Sequence, residues 1–520
     1  MPDHSQTAII GAGIGGLATA LRLAQAGMSV TVFDSHPAPG GKMRTRDSAA
    51  GPVDIGPTVM TMRPVFEALF ADCGERLADH VTLVPDAILA RHFWPDGSTL
   101  DLTGDRAENE RAIAAFAGAG EARAFARFSD RARALFDAFD APIMQAARPR
   151  LPGLVAQVLG MPRLWPALLP GLTLADALAR DFRDPRLQQL FGRYATYVGG
   201  SPYQSPAVLG LIWQSEANGV WSIKGGMHAL ARALHDLAVA RGVRFHFDTR
   251  VARIIRENGR AAAVVLADGT RFAADQVVFN GDPKALGDGL LGTEPRRAVP
   301  RGGVTPRSLS AFVWGFAAKP HGVELAHHNV FFGNDPQQEF DDLAAGRMPK
   351  DGTLYVCAQD RGATPPGDLE RFEIILNGPA GHKSTEEDAK TCKTRTFTQL
   401  ARQRLSFTPE PGIDALTMPM DFNAAFPGSD GSLYGRSPHG MTATFRRPTA
   451  RTRMAGLYLC GGGAHPGAGI PMACLSGKHA AEAILTDHAS TSTSRPTAMP
   501  GGMSTGSATM ANARSPSSVS

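Results

Sequence analysis

The stretch Gly11-Ala-Gly-Ile-Gly-Gly16 constrains this chain more than any other. It follows a short apolar run, Thr7-Ala-Ile-Ile10, and precedes Leu17, Ala18, Leu21 and Ala24, which recur at helical spacing. Ser29 to Asp34 then reads as a second strand. Strand, glycine turn, helix and strand within about 30 residues make a βαβ unit. The glycines permit a tight turn and let backbone N–H groups approach a pyrophosphate at the helix N-terminus. Asp34 ends the second strand 18 residues after Gly16, where a carboxylate accepts both hydrogen bonds from an adenosine ribose. Gly11, Gly13, Gly16 and Asp34 are therefore expected to bind a dinucleotide.

At 520 residues and 43% hydrophobic content the chain can bury two or three domain cores. Its five cysteines are widely spaced and form no CxxC pair, which suggests neither a disulfide framework nor a zinc site and fits a reducing compartment. Residues 1–4 lack a basic n-region, and four glycines interrupt the apolar stretch after Ala8, so a cytoplasmic location is expected. There is no run of 18 apolar residues to span a bilayer, while peripheral membrane contact stays open. A formal charge of +4 is too small for a nucleic-acid binder that works by phosphate neutralisation.

Residues 71–214 are rich in helix formers, with amphipathic stretches from Glu121 to Phe139. The segment 141–174 mixes Leu, Pro, Trp165 and three arginines. It suits a loop over a hydrophobic cavity, a membrane-facing surface or a proline-rich connection equally. After Gly225-Gly226, Met227, Leu230, Ala231, Leu234 and Leu237 share one helical face. Three strands are expected next, Val243 to Ile254, Ala262 to Leu266 and Gln276 to Phe279, with Asn258-Gly259 and Asp268-Gly269 as hairpin turns. Beyond Asp487 the chain is mostly Ser, Thr, Ala, Pro and Gly, with no acidic residue and no periodicity, a composition that cannot offset its ordering entropy.

Distinguishing FAD from NAD needs further motifs. Gly40-Gly41-Lys42-Met43-Arg44 resembles the second FAD motif of the amine oxidase and phytoene desaturase superfamily, in which glycines hug the cofactor and the basic residue meets the phosphates. In Asp54-Ile-Gly-Pro-Thr58, Gly56, Pro57 and Thr58 make a rigid turn suited to the isoalloxazine ring. Val251 sits where the superfamily presents a backbone contact to adenine, although an ordinary strand valine fits equally. Near the C-terminus, Leu457-Tyr-Leu-Cys460-Gly-Gly-Gly-Ala-His465-Pro-Gly-Ala-Gly-Ile-Pro471 reads as a buried strand, a glycine loop and the start of a helix from Met472 to Leu485. Gly462, Gly463, Pro471 and Met472 are thus placed at a helix N-terminus aimed at the flavin.

With these motifs and Arg193-Tyr-Ala-Thr-Tyr-Val-Gly-Gly-Ser-Pro-Tyr203, the chain resembles the bacterial-type carotenoid (phytoene) desaturases over residues 7–485. Glu216-Ala-Asn-Gly-Val-Trp-Ser-Ile-Lys-Gly-Gly226 is most similar to the 1-hydroxycarotenoid 3,4-desaturases among them. The resemblance implies an α/β fold: an FAD-binding Rossmann-type domain of the glutathione-reductase-like class with an inserted mixed substrate- and membrane-associated domain. The FAD domain would comprise 1–70, 215–290 and 440–487, the substrate domain 71–214 and 291–439, and a disordered tail 488–520. It also implies an acyclic carotenoid substrate drawn from a membrane surface, loss of a hydride from an allylic carbon to the flavin, and quinone or oxygen as electron acceptor. Because the resulting cation is acidic, a strong base is not required, and no catalytic residue is assigned. His465, Asp282 and Glu216 are candidate proton acceptors, each with a structural alternative as loop brace, helix cap and surface residue. Two rival readings are a flavin amine oxidase, poorly served by six tyrosines and 7% aromatic content, and a non-catalytic lipid carrier, which need not keep the glycine loops.

Overall fold

A computed structural model of the chain describes residues 5–150, 153, 159–362 and 366–493. A five-stranded sheet forms the first layer, in the order Leu457–Leu459, Gln276–Phe279, Gln6–Ile10, Ser29–Phe33, Arg244–His246, with every pair parallel. Thr7, Ala8 and Ile9 have no exposed surface, as befits a central parallel strand covered on both faces. The helix Ile14–Gln25 packs on the last helix, Ile470–Thr493. Their close approach depends on Gly477, where a Cβ would stand 2.5 Å from the Gly15 carbonyl oxygen. Thr19 Oγ1 spans the contact, donating to Gly15 at 2.8 Å and to Gly477 at 3.2 Å.

The expected meander is shifted. Its strands are Val251–Glu257, Arg260–Leu266 and Arg271–Ala273, all antiparallel, and Asn258-Gly259 turns the first hairpin with φ of 49° and 83°. The single strand expected over 243–254 is broken because Asp248 adopts φ 50° and the backbone there bonds to His36 and Asp34. Gln276–Phe279 leaves the meander for the parallel sheet, where all four of its residues are buried.

A second sheet runs Leu405–Thr408, Ser310–Gly322, Glu370–Gly378, Leu354–Ala358, His328–Phe331, Ile88–Phe93, Thr99–Thr103, with Leu416–Thr417 paired to Ser310–Gly322 off this path. Its strands thus come from both segments expected to form the substrate domain, including 71–214, which reads mainly as helix. One face carries the helices Ala119–Phe139 and Pro185–Gly192, whose Phe125, Phe128 and Phe191 join Phe182 and Trp213 in a buried aromatic cluster. The helix Glu386–Arg402 covers a core on the opposite side.

The final helix begins at Ile470 and ends at Thr493, rather than spanning Met472 to Leu485, and so extends six residues into the expected tail. Residues 494–520 lie outside the described set, as do 151–152 and 154–158 of the expected membrane-facing segment. Among the described residues no helix is long and apolar enough to cross a membrane.

Candidate active site

A cavity of about 1160 Å³ runs between the two layers. At one end its wall is made by Gly11, Gly13 and Asp34 from the first turn, and Gly41, Lys42 and Arg44 from the second. Gly56, Pro57, Thr58, Val251, Gly462, Gly463 and Pro471 complete that end. Segments far apart in sequence meet here because Asn280 joins them. Its backbone N–H donates to Ile10, its Nδ2 donates to Gly11 O at 3.0 Å, and Cys460 Sγ donates to its Oδ1 at 3.4 Å. A Cβ on Gly15 or Gly461 would lie 2.7 Å from that same Oδ1, so only glycine lets both loops close on the amide. Nothing in the sequence around Asn280-Gly-Asp-Pro283 signals this role.

Asp34 is buried beside the turn, accepting from Ala12 N at 2.6 Å and His36 N at 2.8 Å. The second motif is held as firmly, since Gly40 N donates to Ala12 O and a Cβ on Gly56 would strike the Lys42 carbonyl. Asp54 in turn links two family motifs. It accepts from the backbone N–H of Met227 at 2.6 Å and of His228 at 3.2 Å, at the start of the helix His228–Ala240.

This end suits a phosphorylated dinucleotide. Glycine turns make much of its wall, and neither Ile14–Gln25 nor Ile470–Thr493 carries an acidic residue in its first turn, which leaves the positive ends of two helix dipoles unneutralised. Two cations lie around it, Arg447 buried and Lys42 half-buried. Burial pushes the Lys42 ammonium down to about 8, against the pull of Asp282, and its Nζ donates to Leu433 O at 2.5 Å. Burial likewise lowers Arg447 to about 10, although Asp282 opposes this; its guanidinium braces the glycine loop by donating to Gly462 O, Tyr434 O and Arg436 O. Neither forms an ion pair with a carboxylate among the described residues, which suits them to an anionic ligand.

Several expected site residues lie elsewhere. Gly16 is off the cavity wall, because a Cβ there would strike the Gly11 carbonyl; it closes the helix onto its own turn. Met472 packs against the core of the first layer instead of the cavity. His465 is also absent from the wall: its Nε2 meets Ala146 O at 2.9 Å, its ring stacks on His479, and the latter's Nε2 meets Gln145 O at 3.1 Å. The pair braces the start of the 141–174 segment. Glu216 is buried, not superficial, and is consumed by Tyr194 OH at 2.5 Å, by Tyr197 OH and by Arg193. Asp282 does reach the cavity, but it pairs with Arg307 and accepts from Lys284 N at 3.0 Å, just ahead of the short helix Lys284–Asp288.

Sequence reasoning missed the polar group deeper in the cavity. Glu373, in the strand Glu370–Gly378, has no exposed surface, and burial holds its carboxyl well above the ordinary carboxylate range. Thr58 Oγ1 donates to its Oε2, while Oε1 has no hydrogen-bond partner. Thr58 also meets Tyr355 OH at 2.9 Å, and Tyr355 OH meets His328 Nδ1 at 2.7 Å. The cavity wall also includes Arg193, Tyr197, Val330, Tyr203, Gln337 and Phe340. No described residue of 141–174 lines it.

The family described as flavin containing amine oxidoreductase matches residues 14–485. The chain is 58% identical to the hydroxyneurosporene desaturase of Cereibacter sphaeroides over 485 residues, 93% of this chain and 98% of that one. It is 53% identical to the hydroxyneurosporene desaturase of Rhodobacter capsulatus, over 94% of this chain and 99% of that one. Among solved structures, cyclohexylamine oxidase from Brevibacterium oxydans superposes with a TM-score of 0.57 at 16% identity, covering 94% of this chain and 100% of the other, a likeness of fold alone.

Proposed function

Because the chain belongs to the flavin-containing amine oxidoreductase family, we propose that it is an FAD-dependent desaturase of acyclic carotenoids, acting on 1-hydroxylated substrates such as hydroxyneurosporene. Identity above 50% across almost the whole length of two hydroxyneurosporene desaturases carries this reading. The cavity supports it, being one space whose wall includes both the glycine turns and apolar and aromatic residues such as Val330, Tyr203 and Phe340.

Bound FAD supplies a two-electron acceptor for C–H cleavage. Gly11, Gly13, Asp34, Gly41, Lys42, Arg44 and Val251 are the residues assigned to its dinucleotide part. Gly56, Pro57, Thr58, Gly462, Gly463 and Pro471 are assigned to its ring end. What the protein adds is alignment and exclusion of water, since a small misplacement of the reacting carbon is costly. The proton released with the new double bond goes to Glu373. Its bare Oε1 and raised affinity for a proton make it a better acceptor than Asp282 or Glu216, whose carboxylates are paired, or than His465, which does not line the cavity.

The substrate is taken from a membrane surface. Leu159, Trp165 and Leu169 are 62%, 46% and 46% exposed, and three large apolar side chains within eleven residues make a patch suited to the headgroup boundary. Quinone or oxygen, not a soluble nicotinamide, reoxidises the flavin.

The test is to incubate the FAD-loaded protein with liposomes containing phytoene, neurosporene or 1-hydroxyneurosporene separately. Consumption of the hydroxylated substrate, with a product one double bond longer in conjugation, is expected. Consumption of phytoene alone would overturn the reading.

A further inference from the structure

Behind the cavity wall, on the far side of Tyr355, three side chains with metal-binding chemistry converge. His328 and Cys357 face each other across the antiparallel pair His328–Phe331 and Leu354–Ala358, and His327 stands immediately before the first of these strands. One ligand atom from each lies within 4.8 Å of the other two. We propose that His327, His328 and Cys357 bind a borderline-soft divalent cation of the zinc class, with Asp86 completing the site.

Four observations support the site. Cys357 Sγ is 3.6 Å from His327 Nε2, and two ligands of one tetrahedral zinc, at the usual Zn–S and Zn–N lengths, stand about 3.6 Å apart. Both imidazoles are oriented through the other nitrogen: His327 Nδ1 meets Arg361 O at 2.7 Å and His328 Nδ1 meets Tyr355 OH at 2.7 Å. That is the outer-shell arrangement which turns Nε2 towards a metal. Asp86 Oδ2 lies 3.5 Å from His328 Nε2, and neither atom makes a hydrogen bond, although their side chains are only 3% and 2% exposed. Finally, Asp86 is itself held, since its Oδ1 accepts from Ser222 Oγ at 2.6 Å. Because Oδ2 is not within reach of all three other ligand atoms, it either swings in as the fourth ligand or accepts from a metal-bound water. Binding deprotonates Cys357 and leaves both imidazoles neutral, so each ion taken up at the site releases the thiol proton.

The site would also direct the polar chain beside the substrate. With Nε2 given to the metal, His328 must carry its proton on Nδ1 and donate to Tyr355. Tyr355 then donates to Thr58, and Thr58 to Glu373. Every hydroxyl in the chain thereby points its hydrogen at the carboxylate proposed to receive the substrate proton.

The experiment uses the full chain, FAD-loaded and kept reduced, stripped with a chelator and refilled with zinc or cobalt(II). Wild type should hold about one metal per chain, and the cobalt form should show a thiolate-to-cobalt charge-transfer band in the near ultraviolet. Cys357→Ser should abolish the band and His327→Ala should deplete the metal, both with flavin content retained. Tyr355→Phe should weaken zinc about 10- to 100-fold. His327 is partly exposed, so His327→Ala remains informative if Cys357→Ser misfolds. A wild-type protein without the band, or metal content unchanged by both ligand variants, would overturn the proposal and leave the group as a His328–Asp86 ion pair. Neither result depends on which carotenoid is consumed.

Discussion

Thr58 and Glu373, 315 residues apart in sequence, meet inside the cavity at 3.2 Å, hydroxyl to carboxylate. Glu373 is in the wall with one oxygen unpaired, and its proton affinity is raised chiefly by burial. Glu373→Gln keeps the shape and the Thr58 contact but cannot take up a proton. Turnover should drop about 100-fold with flavin content unchanged. Because the folded carboxyl ionises only above the ordinary carboxylate range, the wild-type rate should climb with pH in that higher window, and the variant's should not. A Gln variant with wild-type turnover contradicts the role.

Trp165, in the turn Pro162–Ala167, and Leu169, just after it, are exposed on the segment whose start His465 and His479 brace. Substituting both by serine removes apolar surface worth about 1 kcal/mol or more at a bilayer. Co-sedimentation with liposomes should weaken about tenfold, while turnover of detergent-dispersed substrate should hold. Unchanged vesicle binding would place the membrane contact elsewhere.

His479 provides a pH test of stability. Burial, aided by nearby His465, pulls its imidazole down to about 4 from 6.5. The unfolded chain therefore takes up the proton first as pH falls, so the folded state is undiminished above pH 6.5 and loses stability progressively down to about pH 4. The full loss is about 3 kcal/mol from this one group. His479→Gln should flatten the fall in thermal midpoint across that window; an unaltered acid profile would show that the ring is not the titrating group.

Features governed by local sequence were legible. Gly13 and Asp34 could be read because a glycine turn between strand and helix leaves few alternatives, and both line the cavity. Asn280 and Glu373 could not, since each works through partners hundreds of residues away and looks like a loop amide or an ordinary strand position. The meander was misread at Asp248, where a left-handed residue breaks an otherwise strand-like run in favour of hydrogen bonds to residues 34–36. His465 and Glu216 read as candidate proton acceptors, but buried partners such as Ala146 O and Tyr194 OH are invisible to composition and periodicity. Sheet partnership was the other illegible feature: Ile88–Phe93 pairs with His328–Phe331 across more than two hundred residues.

Everything proposed for the site requires that the glycine loops close around one flavin, and Gly462 tests this most directly. It lines the cavity, and a Cβ there would meet no protein atom closer than 3.8 Å, so a side chain can be added at this position without a clash at its first carbon. Flavin per chain should be measured from the visible absorbance of purified wild type and Gly462→Val, with thermal unfolding as a check on folding. Wild type should carry about one FAD and the folded variant almost none. A folded Gly462→Val protein with full flavin content would contradict the account.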